Sequence, residues 1–424
     1  MANKLLVVQV AALGWDLVKN LPGFQQAEPF FPALTCTAQA GFRTASQPRD
    51  HGMVANGVRS PDLRKIMLWE QSSGLVHGER IWKRFRAAGG KVGMIFWQQS
   101  LGDEELDLVL SPAPIHKHSG GMVQDCYAHP ADLYPFLVKQ NRRPFNLMHY
   151  WGPLASQKSS AWITDATCTI LREPRFAPDL LFSYLPHLDY DLQRRGPGSS
   201  QARKALEFTL RCIDRMKTEA QAHGYQWLFF GDYAIEPVSA AIFPNRRLLE
   251  VGLLETRLIK KMLYPDLFSS PAFAMVDHQI AHVYTRDPQS TAAARDALAE
   301  LPGIDSILDR AQQAVLGVDH TRSGDLLLIA KPGQWFAYPW WTQKKHAPDF
   351  ACHVDIHNKP GYDPCELFFG WPPPSVSMNA QRIRGSHGRP GDAVAWASSL
   401  EFPAVPTTAL DLARLTKAWL DSHS

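Results

Sequence analysis

The sequence lacks any pair of cysteines at CxxC spacing. Its six cysteines, Cys36, Cys126, Cys168, Cys212, Cys352 and Cys365, are scattered, which excludes a zinc knuckle or thioredoxin-type motif and fits reduced thiols in a cytoplasmic protein. A long apolar run is also missing. The stretch Leu5–Val10, after Met-Ala-Asn-Lys, is too short for a membrane span and has no small-residue cleavage site, so it reads as a first buried strand. Charge of one sign is scarce, since 44 Lys and Arg against 41 Asp and Glu leave a formal +3. No whole-chain field therefore favours a nucleic-acid polymer or an anionic membrane, and any anion binding must be local. GxGxxG after a strand, GxxxxGK[ST], HExxH and GxSxG are all absent, which removes the dinucleotide, P-loop, zincin and α/β-hydrolase chemistries.

What is present suits a folded enzyme. Hydrophobic residues make up 45% and charged residues 20% of 424 positions, enough for a large core and far from the disordered or fibrous extremes. Short apolar runs at Leu5–Ala11, Val92–Trp97, Leu180–Leu185, Trp227–Phe230, parts of Phe273–Tyr284, and Leu326–Ala330 read as strands. Helical spacing of apolar residues fills Gly78–Ala88, Ser160–Leu171, Ser200–Ala222 and Asn245–Leu254, and Thr408–Ser422 reads as a helix closing the core. Such alternation predicts an α/β fold with a mostly parallel sheet, whose ligand site lies beyond the carboxyl ends of the strands. Asp189, Asp232 and the Thr35 loop sit there. Pro237–Arg322 reads as an insertion with its own strands and helices.

Four fragments carry candidate chemistry. The first is Pro32-Ala-Leu-Thr35, leading into a helix-like stretch and followed by His51-Gly-Met-Val-Ala-Asn56. A hydroxyl there is suited to attack phosphorus while backbone N–H groups hold phosphate oxygens, although a lone threonine at that place also reads as an N-cap. The second is His187-Leu-Asp189-Tyr-Asp191-Leu-Gln193-Arg194-Arg195, directly after an apolar strand. The third, Gly231-Asp232-Tyr233, also follows a strand, and the fourth is Arg384-Gly-Ser-His387-Gly388.

In this order the fragments resemble the nucleotide pyrophosphatase/phosphodiesterase branch of the alkaline-phosphatase superfamily, from Leu5 to about Ser399. The resemblance implies an alkaline-phosphatase-like α/β core, a central mostly parallel sheet with helices on both faces, over residues 1–236 and 323–424. A smaller inserted subdomain would occupy 237–322. It implies Thr35 as nucleophile and Asn56 as a hydrogen-bond donor to a phosphate oxygen. Asp189 and His387 match ligands of one divalent metal and Asp232 a ligand of another, with zinc the foremost candidate and manganese or magnesium the alternatives, in one or two ions. The implied partner is a small phosphorylated substrate.

This chain departs from the pattern at three ligands: Ala11 stands where the family has an aspartate, and Gln193 and Tyr233 stand where it has histidines. Gln193 still offers a carbonyl oxygen, a weaker zinc ligand than imidazole. A single-metal or rearranged site is therefore expected, with Tyr233 filling a vacated imidazole position. Replacement ligands are sought in His278 and His357, while His282 and His353 read as structural. Asp277–Tyr284 reads as one strand, on which spacing by four puts His278 and His282 on the same face. Arg194 and Arg195 read as a phosphate grip or a solvated pair, and the aromatic run Trp335–Trp341 as core or as a wall for a ring.

Overall fold

The computed structural model describes residues 4–119, 121–354, 359–361, 367–371 and 375–422. An 8-stranded sheet forms its centre, in the order Gln25–Ala27, Val394–Ser398, Tyr225–Gly231, Lys4–Val10, Leu180–Leu185, Val92–Ile95, Leu108–Pro112, Cys126–His129. From Tyr225–Gly231 through Leu108–Pro112 neighbouring strands run parallel, and the antiparallel pairings lie toward the two edges.

The unbroken apolar character of Leu180–Leu185 follows from burial on both faces, the usual state of a parallel strand. Successive side chains point to opposite faces, and here two neighbours meet different helices. The Ser183 hydroxyl bonds Thr167 of the helix Gln157–Arg172, whereas the Phe182 ring packs edge-on against Phe42 of the helix Thr35–Thr44. Both faces are thus covered, as expected for an alkaline-phosphatase-like core.

A second, 4-stranded antiparallel sheet joins Ala272–Asp277, Ile280–Thr285, Leu326–Ala330 and Ile304–Leu308 around a separate apolar cluster. It extends past residue 322, because Leu326–Ala330 completes its hydrogen-bond ladder beside Ile280–Thr285. The aromatic run is core here: Trp335, Phe336, Tyr338 and Trp340 are all buried. Among the described residues no helix is long and apolar enough to cross a membrane.

Candidate active site

The carboxyl ends of three adjacent strands build the site. Lys4–Val10 ends beside Ala11 and Ala12, Leu180–Leu185 leads into the helix His187–Arg195, and Tyr225–Gly231 leads into Asp232 and Tyr233. At Gly231 the chain passes so close to Leu13 that a Cβ would lie 2.3 Å from the Leu13 carbonyl oxygen. Only glycine allows that approach, and it brings Asp232 against the Ala12 amide. On the second element Asp189 and Gln193 are four residues apart and therefore share a helix face.

Thr35 does not cap its helix. The cap position belongs to Leu34, which makes no side-chain cap bond, and Thr35 is the first helical residue. Its hydroxyl instead turns to Asp232 Oδ2 at 3.4 Å, with the Tyr184 and Tyr233 hydroxyls also within hydrogen-bonding reach. Asn56 accepts from the Cys36 N–H at 3.0 Å and donates through Nδ2 to Asp277 Oδ1 at 3.1 Å. One Nδ2 hydrogen remains for a ligand.

Asp232 is enclosed by donors. Oδ2 accepts from Gln9 Nε2 at 2.7 Å, and Oδ1 accepts from the backbone N–H groups of Ala12 and Tyr233, each at 3.0 Å. Burial pushes its carboxyl pKa up to about 7, against the pull of the Gln9 and Ala12 bonds and with added repulsion from Asp189.

Asp189 is held differently. Gln193 Nε2 donates to both its oxygens, at 2.7 and 2.8 Å, and the Tyr233 hydroxyl donates to Oδ1 at 3.0 Å. The Tyr233 ring lies flat on His387, centroids 3.4 Å apart and planes 2° from parallel. His387 Nδ1 is 2.8 Å from the Ala33 carbonyl, an acceptor only, so Nδ1 carries the proton. Its Nε2 lone pair is left buried without a hydrogen-bond partner, 4.0 Å from Asp189 Oδ1. Burial above all, and then His278, hold the His387 pKa well below the usual imidazole value.

His278 is not on a strand shared with His282. Asp277 pairs with Ile280 across a tight turn, and His278 occupies that turn with φ 59°. The turn lifts its ring into the site, where Nδ1 lies 2.7 Å from Asp277 Oδ1 and Nε2 lies 3.5 Å from Gln193 Nε2. His282 is a satisfied structural residue, with Nε2 facing the Val54 carbonyl and Nδ1 accepting from the Gly324 N–H, each at 3.1 Å. His353 is exposed. His357 lies outside the described residues.

One narrow cavity of about 60 Å³ is lined by Thr35, Asn56, Asp189, Gln193, Tyr233, His278 and His387, with Arg194 at its rim. The Arg194 guanidinium donates to the Gly152 carbonyl at 2.5 Å. The sequence reading overlooked Gln9, Asp277 and Tyr184. Gln9 was visible as the polar break in an apolar strand, and Asp277 as the carboxylate preceding His278.

The donor set does not fit two cations. Around Asp232 an amide, two backbone N–H groups and a hydroxyl take the carboxylate's lone pairs, and Ala11 offers no ligand. Among the described residues around Asp189 only His387 adds an unpartnered ligand atom, and two ligands are fewer than a catalytic zinc requires. Among the described residues no three His, Cys, Asp or Glu side chains converge as a metal site.

The profile of the type I phosphodiesterase / nucleotide pyrophosphatase family matches residues 16–363. No curated protein matches the chain. Among solved structures it is similar to phosphonoacetate hydrolase from Sinorhizobium meliloti 1021 in complex with phosphonoformate, at 16% identity and a TM-score of 0.60 over 100% of this chain and 96% of that one. Murine ectonucleotide pyrophosphatase/phosphodiesterase 5 superposes with a TM-score of 0.58 at 14% identity, covering 99% of this chain and 95% of that one. An inactive form of that murine protein was solved in complex with AMP, and matches with a TM-score of 0.56 at 14% identity over 99% of this chain and 95% of that one. At these identities the superpositions speak for the fold.

Proposed function

The chain belongs to the type I phosphodiesterase / nucleotide pyrophosphatase family, and from that premise we propose that it hydrolyses a phosphate diester or pyrophosphate by in-line attack of the Thr35 hydroxyl. The observation that carries this reading is the Thr35 side chain itself: buried, free of capping duty and turned into the cavity toward Asp232. The Thr35 oxygen forms a bond to phosphorus as the alcohol of a diester, or the phosphate of a pyrophosphate, leaves, and water later cleaves the threonyl phosphate. The start of the helix Thr35–Thr44 and the remaining Asn56 hydrogen stabilise the charge that builds on the phosphoryl oxygens.

Threonine is a poor nucleophile at its ordinary pKa and needs a group to take its proton. Asp232 is in hydrogen-bond contact with the hydroxyl. His278, oriented by Asp277 as a carboxylate orients imidazole in hydrolytic triads, is the base available for the water step. A divalent cation, if bound beside Asp189 and His387, would supply positive charge next to the phosphoryl oxygens; the steps above do not depend on it.

A small phosphorylated compound is the substrate class that the narrow cavity supports. Assaying bis(p-nitrophenyl) phosphate with wild-type protein and Thr35→Ala tests the reading. Loss of at least ~10³-fold in kcat/KM with an unchanged melting temperature is expected, and activity kept within a few-fold would remove Thr35 from the role. A second reading, binding of a phosphorylated ligand without turnover, is favoured by the glutamine amides that take the carboxylates' lone pairs. Tight ligand binding with no turnover by the wild-type protein would support it.

A further inference from the structure

Beside the catalytic cavity lies a second one, of about 290 Å³, walled by Arg194, Arg195, Arg382, Arg384 and Phe368. Two segments supply its arginines. Arg194 and Arg195 end the helix His187–Arg195, and Arg382 and Arg384 precede the short strand Gly385–Ser386. The Arg384 N–H donates to the Gln193 carbonyl at 2.8 Å and fixes one segment on the other. Arg194 lines both cavities.

Four arginines line one space, and among the described residues no carboxylate pairs with any of them. Nearby acids are engaged elsewhere: Asp191 faces His187 at 3.3 Å, and Glu236 faces Arg389 at 3.6 Å. Two arginines at a helix C-terminus complement the helix dipole, which accounts for Arg194 and Arg195. It does not account for Arg382 and Arg384. Their contacts hold them in place without neutralising them, since Arg382 lies over the Phe368 ring at 4.1 Å and Arg384 donates to the Gln381 and Ile383 carbonyls at 2.6 and 2.9 Å. A guanidinium has five N–H donors, so each keeps hydrogens for a further acceptor. The catalytic cavity, of about 60 Å³, is the smaller of the two.

We propose that the arginine-walled cavity is a second anion subsite, taking a phosphate-class oxyanion carried by the same substrate whose phosphoester reaches Thr35. Fork-shaped guanidinium groups match the oxygens of a phosphate bidentately, and the clustered charge supplies the field. The assignment of the first subsite rests on the hydrolase reading above; the anion subsite itself does not.

The test is calorimetric titration of inorganic pyrophosphate into the full chain in metal-free buffer, with Thr35→Ala as the parent so that no turnover intervenes. Arg382→Ala/Arg384→Ala on that background should bind at least ~10-fold more weakly, from the usual strength of a charge-assisted hydrogen bond. Both residues are exposed, and an unchanged melting temperature will show that the fold is kept. Arg382→Lys/Arg384→Lys should recover part of the affinity, as charge without the fork does. Equal affinity in parent and double alanine variant overturns the subsite, as does a parent that binds pyrophosphate no better than chloride at equal ionic strength. A wild-type protein that binds through these arginines but turns nothing over sinks the hydrolase reading and leaves the subsite standing.

Discussion

The two carboxylates of the site have met the same problem in different ways. Asp232 and Asp189 both lie buried, where an unpaired charge is costly. Asp232 is surrounded by Gln9, two backbone amides and the Thr35 hydroxyl, so hydrogen bonds stand where the family resemblance places a cation. Asp189 also has an amide and a hydroxyl, yet it still faces the partnerless lone pair of His387. Two acceptors opposed across 4.0 Å leave room for something positive between them. The Gln193 amide and the Tyr233 hydroxyl are both donors aimed at the carboxylate beside them.

The largest effect should come from cations. Zinc titration in a calorimeter should saturate at no more than one ion per chain. Whatever zinc does bind should be held at least ~10-fold more weakly in His387→Ala, where a direct ligand is lost, and Asp232→Asn should leave it unchanged. A second ion lost in Asp232→Asn would erase the distinction between the two halves.

A smaller effect separates the two glutamines. Gln9→Leu removes a donor from a fully enclosed carboxylate and should lower unfolding stability by about 1–3 kcal/mol. Gln193→Leu should cost less, about 1 kcal/mol, because Asp189 lines the open cavity, where water can take the vacated position. Urea unfolding of both variants ranks them, and the reverse order would mean that Asp189 is the more dependent on its amide. The smallest effect belongs to Tyr233→Phe, which keeps the ring stack on His387 and removes one hydroxyl. A loss of about 0.5 kcal/mol in the same unfolding assay is expected, and a neutral result would make the ring, not the hydroxyl, the reason tyrosine stands there.

Much of this architecture was legible in the sequence. The apolar runs at Leu5, Leu180 and Trp227 announced the parallel strands, and the polar residues at their ends gave Asp189 and Asp232 their place. The short edge strands Gln25–Ala27 and Cys126–His129 gave no such sign, being exposed in part and lacking continuous apolar character. Thr35 was ambiguous because threonine is a preferred cap, and only the backbone shows that Leu34 takes that position. His278 and His282 were read along one strand because periodicity cannot register a two-residue turn, and the turn is what sends one ring into the site and the other into the core. Gln9 went unremarked because a single buried glutamine has meaning only when its partner, 223 residues away, is seen beside it.

A bond between Thr35 and phosphorus can be trapped. Wild-type protein mixed with bis(p-nitrophenyl) phosphate, quenched in acid within the first turnover and digested, should yield a peptide phosphorylated at Thr35, with the modification absent from Thr35→Ala. Turnover of the diester with Thr35 unmodified at every time sampled would contradict the account.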